Sequence, residues 1–291
     1  MAPNASQEHA STNGNDIENA QDGNSKPLAK TKNDSFFSRG FIFGPIDKKH
    51  CDLILLAHSV ATGMVDAACF SNWGVFAGMQ TGNTVLLGLS TATSPNNPHA
   101  WLTTLISIIS YLLGAFVTFR LTIFLVPQGV SSNRTCLFTI LMAQALLILI
   151  SAALIAADIV PHNAPGVATA ANVTAVIDNI RIVSLLPPLA FQAGIQIATS
   201  RLLGYNELPV NVVTSTYCDI MGDNALLRPH NTKRNRRLAA VALVLIGAVA
   251  SGWLMRSAGG LQSALFLAGG IKFIVAVAAF AFLKRDKGEG Q

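Results

Sequence analysis

The stretch that decides the fold is Gly74-Val75-Phe76-Ala77-Gly78-Met79-Gln80-Thr81-Gly82-Asn83-Thr84. It follows an apolar run from Leu53 to Phe70 and precedes another from Trp101 to Val126. Its own apolar residues place it in the same layer as those runs. Thr81 and Asn83, however, bring a hydroxyl and an amide into that layer, and Gly78 and Gly82 loosen a helix and let neighbouring backbones approach. Hydrocarbon offers no water to a freed backbone group, so a break of this kind survives at membrane depth only where it faces protein or a wet cavity.

The rest of the chain supplies the membrane. Of 291 residues, 51% are hydrophobic and only 12% charged, about half the charge of an ordinary soluble domain. Mean hydropathy is +0.46. The charges fall mainly in three islands: the first 50 residues, Arg228 to Arg237, and the residues after Leu283. A bilayer needs roughly 20 apolar residues per helical span. By that measure Leu53–Phe70, Trp101–Val126, Cys136–Ala157, Ile182–Leu203, Leu238–Met255 and Leu261–Leu283 are long segments, and Gly74–Leu89 and Pro209–Leu226 are short and interrupted. The expected fold is an all-α polytopic membrane bundle of six full spans plus two short interrupted segments, or alternatively eight spans.

The order long, short, long, long occurs twice, which points to an internal duplication. Gly63 and Gly194 are 131 positions apart, Thr81 and Thr214 are 133 apart, and Arg120 and Arg256 are 136 apart. A near-constant period with small loop drift is the expectation for a two-repeat membrane protein. The chain divides into a disordered polar cytosolic tail (1–48), a first membrane repeat (49–157), a connecting loop (158–181), a second repeat (182–285) and a cytosolic C-terminal tail (286–291). The tail carries too little apolar surface to offset the entropy of ordering.

The basic islands orient the bundle. With six or eight crossings, both termini and the Arg228–Arg237 loop are cytosolic by the positive-inside rule. The two counts differ on the loop around Asn172-Val173-Thr174, which is outside for six and cytosolic for eight. Apart from Arg181 at its end that loop has no Lys or Arg, which favours six and makes the repeats inverted. The polar start lacks a secretory signal and a transit-like Arg/Ser helix, so a plasma or secretory-pathway membrane is favoured.

Upstream of the break stands Gly63-Met64-Val65-Asp66-Ala67. A Gly-x-x-Asp-Ala element followed by a Phe-containing stretch ending in Thr-Gly-Asn resembles the YoaK-like membrane family (domain of unknown function 1275). The resemblance runs over about residues 50 to 285 and includes a degenerate second copy, Gly194-Ile195-Gln196-Ile197-Ala198, then Val213-Thr214-Ser215-Thr216. It implies a multi-pass membrane protein and names no substrate. Ile197 stands where the second copy has Asn, and Ser215 where it has Gly, so the first half is expected to carry most of any site.

The candidate pathway residues are Asp66, Gln80, Thr81, Gly82, Asn83, Gln192, Gln196, Thr214 and Thr216. A carboxylate inside a span costs about 2.5–3.5 kcal/mol on insertion scales, so Asp66 is expected to face a partner or a pathway. Gln192 and Gln196 share a helical face as a polar lining or a bridge between helices. His58 lies just over two turns before Asp66 on the same face. Lys272, deep in the last span, is a possible partner for Asp66. The same Gly and Thr residues equally serve plain helix packing.

No phosphate-binding loop, His-Glu-x-x-His or nucleophile elbow is present, and no Cys/His set has zinc spacing. The four cysteines, Cys51, Cys69, Cys136 and Cys218, read as small apolar side chains. No metal, cofactor, enzymatic activity or nucleic-acid partner is expected. The expected partners are the lipid bilayer and an unknown small solute or ion, with homo-oligomerisation open. The favoured function is a secondary transporter or permease; the alternative is a non-transporting membrane scaffold or accessory protein.

Overall fold

The computed structural model describes residues 39–93, 99–165, 179–208 and 212–286. Most of the expected N-terminal tail, the Asn172-Val173-Thr174 loop and residues 287–291 lie outside the described residues. Eight helices of nine residues or more build the described chain: α1 Cys51–Trp73, α2 Gln80–Thr93, α3 Ala100–Leu125, α4 Arg134–Ala156, α5 Leu186–Leu203, α6 Val213–Met221, α7 Thr232–Arg256 and α8 Gly260–Phe282. Six of them are long and apolar enough to cross a membrane: α1, α3, α4, α5, α7 and α8. At 1.5 Å per residue, α2 is roughly 21 Å long and α6 roughly 14 Å, short of a hydrocarbon core of about 30 Å.

The elements differ from the sequence boundaries in understandable ways. The first span runs past Phe70 to Trp73, because the polar residues there find partners. Asn72 donates to the Ala68 carbonyl at 3.0 Å and accepts from the Asn163 amide at 3.2 Å. The Trp73 indole donates to the Pro161 carbonyl at 3.3 Å. Gly74 then ends α1 in the left-handed region (φ 63°), and Gly204 ends α5 in the same way (φ 85°), a conformation that favours glycine. The interrupted segments become a non-helical stretch followed by a short helix: Gly74–Met79 before α2, and, among the described residues, 204–208 and Val212 before α6.

Helices α1 and α5 form the centre. Of the most apolar window of each of their spans, 67% is buried, against 17–39% for the other four. The outer helices turn large apolar side chains outward, among them Phe124, Leu245, Trp253 and Ile274, as lipid-facing surfaces do. The main contacts are cross-paired: α1 with α7, α5 with α3, and α4 with α8. Glycines set the close approaches. A Cβ at Gly63 would stand 2.0 Å from the Val244 carbonyl oxygen, and one at Gly247 would stand 2.1 Å from that of Val60. On the other side, a Cβ at Gly194 would stand 2.1 Å from the Tyr111 oxygen, and one at Gly114 would stand 2.1 Å from that of Phe191. Only small residues permit such crossings.

The start of α1 and the end of α8 lie on one face of the bundle, tied by the Ile46–Arg285 bridge. Arg134 there closes the C-terminus of α8, donating to the carbonyls of Phe280 at 2.7 Å and Leu283 at 2.6 Å. The same face gathers the ion pairs of Arg236 with Asp52 (3.0 Å) and Glu207 (3.1 Å), and of Arg237 with Asp219 (3.3 Å). The Tyr205 hydroxyl donates to the Lys48 carbonyl at 2.6 Å. Burial pushes the Tyr205 phenol up.

Candidate functional site

The break after Gly74 is held by two buried side chains. Asp66 lies seven residues before the end of α1, about 10 Å from that end. Its Oδ1 accepts from the backbone amides of Ala77 at 2.9 Å and Gly78 at 2.7 Å. Those amides belong to no helix, so the carboxylate supplies the acceptor that regular structure would have given. Asn83, fully buried, grips the other edge of the break. Its Oδ1 accepts from the Phe76 amide at 2.9 Å and its Nδ2 donates to the Phe76 carbonyl at 2.7 Å. Nδ2 also reaches Gln80 Oε1 at 2.9 Å and Ser107 Oγ at 3.0 Å. Gly82 is small for a steric reason: a Cβ would meet the Phe76 ring at 2.9 Å, and that ring is stacked on Phe70.

Beside the break lies a buried polar core. Lys272, halfway along α8 and fully buried, donates to three carboxamide oxygens: Gln192 at 2.6 Å, Gln196 at 2.5 Å and Gln144 at 3.1 Å. Gln196 Nε2 donates to Thr62 Oγ1 at 2.7 Å, and Gln144 Nε2 to Thr199 Oγ1 at 3.4 Å. The core therefore joins α1, α4, α5 and α8. Thr62, Asp66, Gly78, Gln192 and Gln196 close on one another around a space too tight for a water molecule.

On the other side of Gly78 an open cleft of about 620 Å³ separates the two short helices. The first turns of both line it: Gln80, Thr81 and Gly82 from α2, and Val213, Thr214 and Ser215 from α6, with Tyr111 of α3 and Asp219 farther along α6. Gly78 borders both the cleft and the closed space by Asp66.

The family profile described as "Protein of unknown function (DUF1275)" matches residues 54–278. The chain belongs to this family. Comparison with curated proteins and with solved structures gives no match. The matched region contains all six crossing-length helices in whole or large part, both breaks and the polar core.

In this DUF1275 protein the residues singled out from sequence fall into separate places. Gln80, Thr81, Gly82 and Thr214 meet at the cleft. Asp66 and Asn83 fasten the break, and Gln192 and Gln196 hold Lys272. Thr216 is buried, outside the cleft lining, with its hydroxyl donated to the Val212 carbonyl at 3.0 Å. The pairing of Lys272 with Asp66 is not what the fold makes: the ammonium is held by the glutamine oxygens, and Asp66 is held by backbone amides. His58 is buried with Nε2 unpartnered, so no hydrogen-bonded relay leads from that atom to Asp66. No motif in the sequence marks Gln144, Thr199, Ser107 or Tyr111. Gln144 carried a usable signal, since a carboxamide in the middle of a span needs a partner as much as a charge does.

Proposed function

We propose that this protein is a secondary transporter or permease for a small polar solute, with the cleft between α2 and α6 as its solute site. One observation carries the reading: two half-length helices, each following a break in the membrane region, turn their first residues to a single cleft. Discontinuous helices in corresponding positions of two halves are the usual construction of a transporter's binding site. A cleft of about 620 Å³ is within the range of small-molecule sites. Its hydroxyl, carboxamide and phenol groups suit a polar solute.

The packing supports duplication. Gly63 against Val244 and Gly194 against Tyr111 are equivalent contacts, as are Gly247 against Val60 and Gly114 against Phe191. The partners are related by shifts of 131 or 133 positions throughout. Gly74 and Gly204 are 130 apart, and the longer connection before α6 accounts for the later drift. We read the halves as inverted repeats with six crossings, the basic face that holds the start of α1 and the end of α8 being cytosolic. Alternating access would then rock one set of cross-paired helices against the other around the cleft.

The test is two-sided access. Thr81→Cys is made in a background with Cys51, Cys69, Cys136 and Cys218 replaced by Ala, and sealed vesicles receive a membrane-impermeant maleimide. A transporter exposes residue 81 to reagent from either side, in proportions that a transported solute shifts. Labelling from one side alone, unchanged across a panel of solutes, would favour the scaffold reading.

A further inference from the structure

Two of the acceptors around Lys272 are oriented by bonds that do not involve the ammonium. The Thr62 hydroxyl donates to the His58 carbonyl at 3.0 Å, and the Thr199 hydroxyl to the Ile195 carbonyl at 2.7 Å. Each hydroxyl oxygen therefore turns its lone pairs toward the core, where they receive the amide nitrogens of Gln196 and Gln144. A carboxamide whose nitrogen is fixed presents its oxygen in the opposite direction. Gln196 and Gln144 thus aim their oxygens at the point that Gln192 Oε1 also reaches. An ammonium has three donors and no acceptor, and it meets three oxygens here. Uncharged amide oxygens converging inside a membrane protein are the ligand type that replaces the hydration shell of a monovalent cation.

We propose that the oxygens of Gln144, Gln192 and Gln196 form a monovalent-cation site whose resident cation is the chain's own Lys272 ammonium. The tether means that this charge does not leave with a solute, so the wild-type protein completes its core without free Na⁺ or K⁺. Removing the ammonium leaves three inward oxygens, and the site then takes a free cation. The inference is independent of what the cleft carries, because its readout is stability and not flux.

The test uses full-length protein purified in detergent. Melting temperatures of wild type and Lys272→Ala are measured in NaCl, KCl, methylammonium chloride and choline chloride at equal ionic strength. The wild type should melt at one temperature in all four. Lys272→Ala should be raised, saturably, by Na⁺, K⁺ or methylammonium over choline, by about 5–10 °C at roughly a hundred times the dissociation constant. Adding Gln192→Leu to Lys272→Ala should abolish the rise. Indifference of Lys272→Ala to all three cations overturns the proposal, as does a rise that survives Gln192→Leu. Lys272→Met keeps the apolar stem and serves if the alanine variant is not recovered. Failure of both to fold in every cation-containing buffer also overturns it, since a cation site must accept a free cation.

Discussion

Asp66 and Gly78 are joined by a 2.7 Å hydrogen bond from a backbone amide to a carboxylate oxygen, across 12 residues of chain. This bond and its partner from Ala77 turn the chain back into the bundle after α1. A hydrogen bond to a charged group contributes about 1.5–3 kcal/mol, against about 1 kcal/mol for a neutral one. Asp66→Asn keeps an acceptor and should lose about 1–3 kcal/mol; Asp66→Ala should lose more. Melting curves should rank wild type above Asp66→Asn above Asp66→Ala. If Asp66→Asn melts with the wild type yet abolishes two-sided labelling at residue 81, the carboxylate acts in transport and not as a fastener.

Asn83 lies within hydrogen-bonding distance of four groups, two of them on the backbone of Phe76. Asn83→Leu leaves the Phe76 amide without its acceptor, at about 1–3 kcal/mol, and leaves the Phe76 carbonyl with Ser107 alone. We expect a large fall in melting temperature and poor recovery. Ser107→Ala should be milder, because the Phe76 carbonyl keeps Asn83. Equal losses would mean that Ser107, which donates to the same carbonyl at 2.8 Å, is the principal partner.

The glycine crossings give a prediction with an internal control. Gly63→Ala and Gly194→Ala place a methyl about 2 Å from a backbone oxygen, and the helices must separate, at about 1–3 kcal/mol or more. Gly88→Ala and Gly252→Ala meet nothing within 4 Å and should be neutral or slightly stabilising. Size-exclusion profiles and melting temperatures separate the two classes. A well-behaved Gly63→Ala would show that α1 and α7 do not pack as described.

Asp223 offers a pH prediction outside the spans. Its carboxylate accepts from the Ala225 amide at 2.8 Å and from Asn231 Nδ2 at 2.9 Å. These bonds hold its carboxyl below the usual carboxylate range. A depressed carboxyl contributes stability above its unfolded value, near 3.9, and loses it as pH falls through the folded value. Hydrogen exchange at Ala225, corrected for intrinsic rates, should be constant from about pH 5 to 8 and accelerate only below about pH 4. Asp223→Ala should remove the protection throughout. Acceleration already at pH 6 would contradict the assignment.

Topology is checked by glycosylation in microsomes. Six crossings with cytosolic termini expect modification at Asn172 that Asn172→Gln abolishes. They expect none at Asn231 when Lys233→Thr is introduced to create an acceptor there. The reverse pattern inverts the protein.

The sequence by itself determined the class of the molecule: a helical membrane bundle of this family, with six long spans and a polar break in each half. Those features are one-dimensional. Span length, charge placement, and Gly and Thr spacing act within a single segment, and the bilayer imposes the same rule on every segment. Which polar groups meet was decided only by the tertiary structure. Asp66 and Lys272 are both single charges in apolar helices, and charge alone pairs them. The backbone amides of Ala77 and Gly78, freed at the break, take Asp66, because they lie on the adjoining segment and outside any helix. Lys272 then finds its three acceptors on α4 and α5, brought within reach by the close crossing of α5 on α3 and the packing of α4 against α8. The cleft is likewise a product of packing, since Thr81 and Thr214 lie 133 positions apart and meet only because the two breaks turn toward each other.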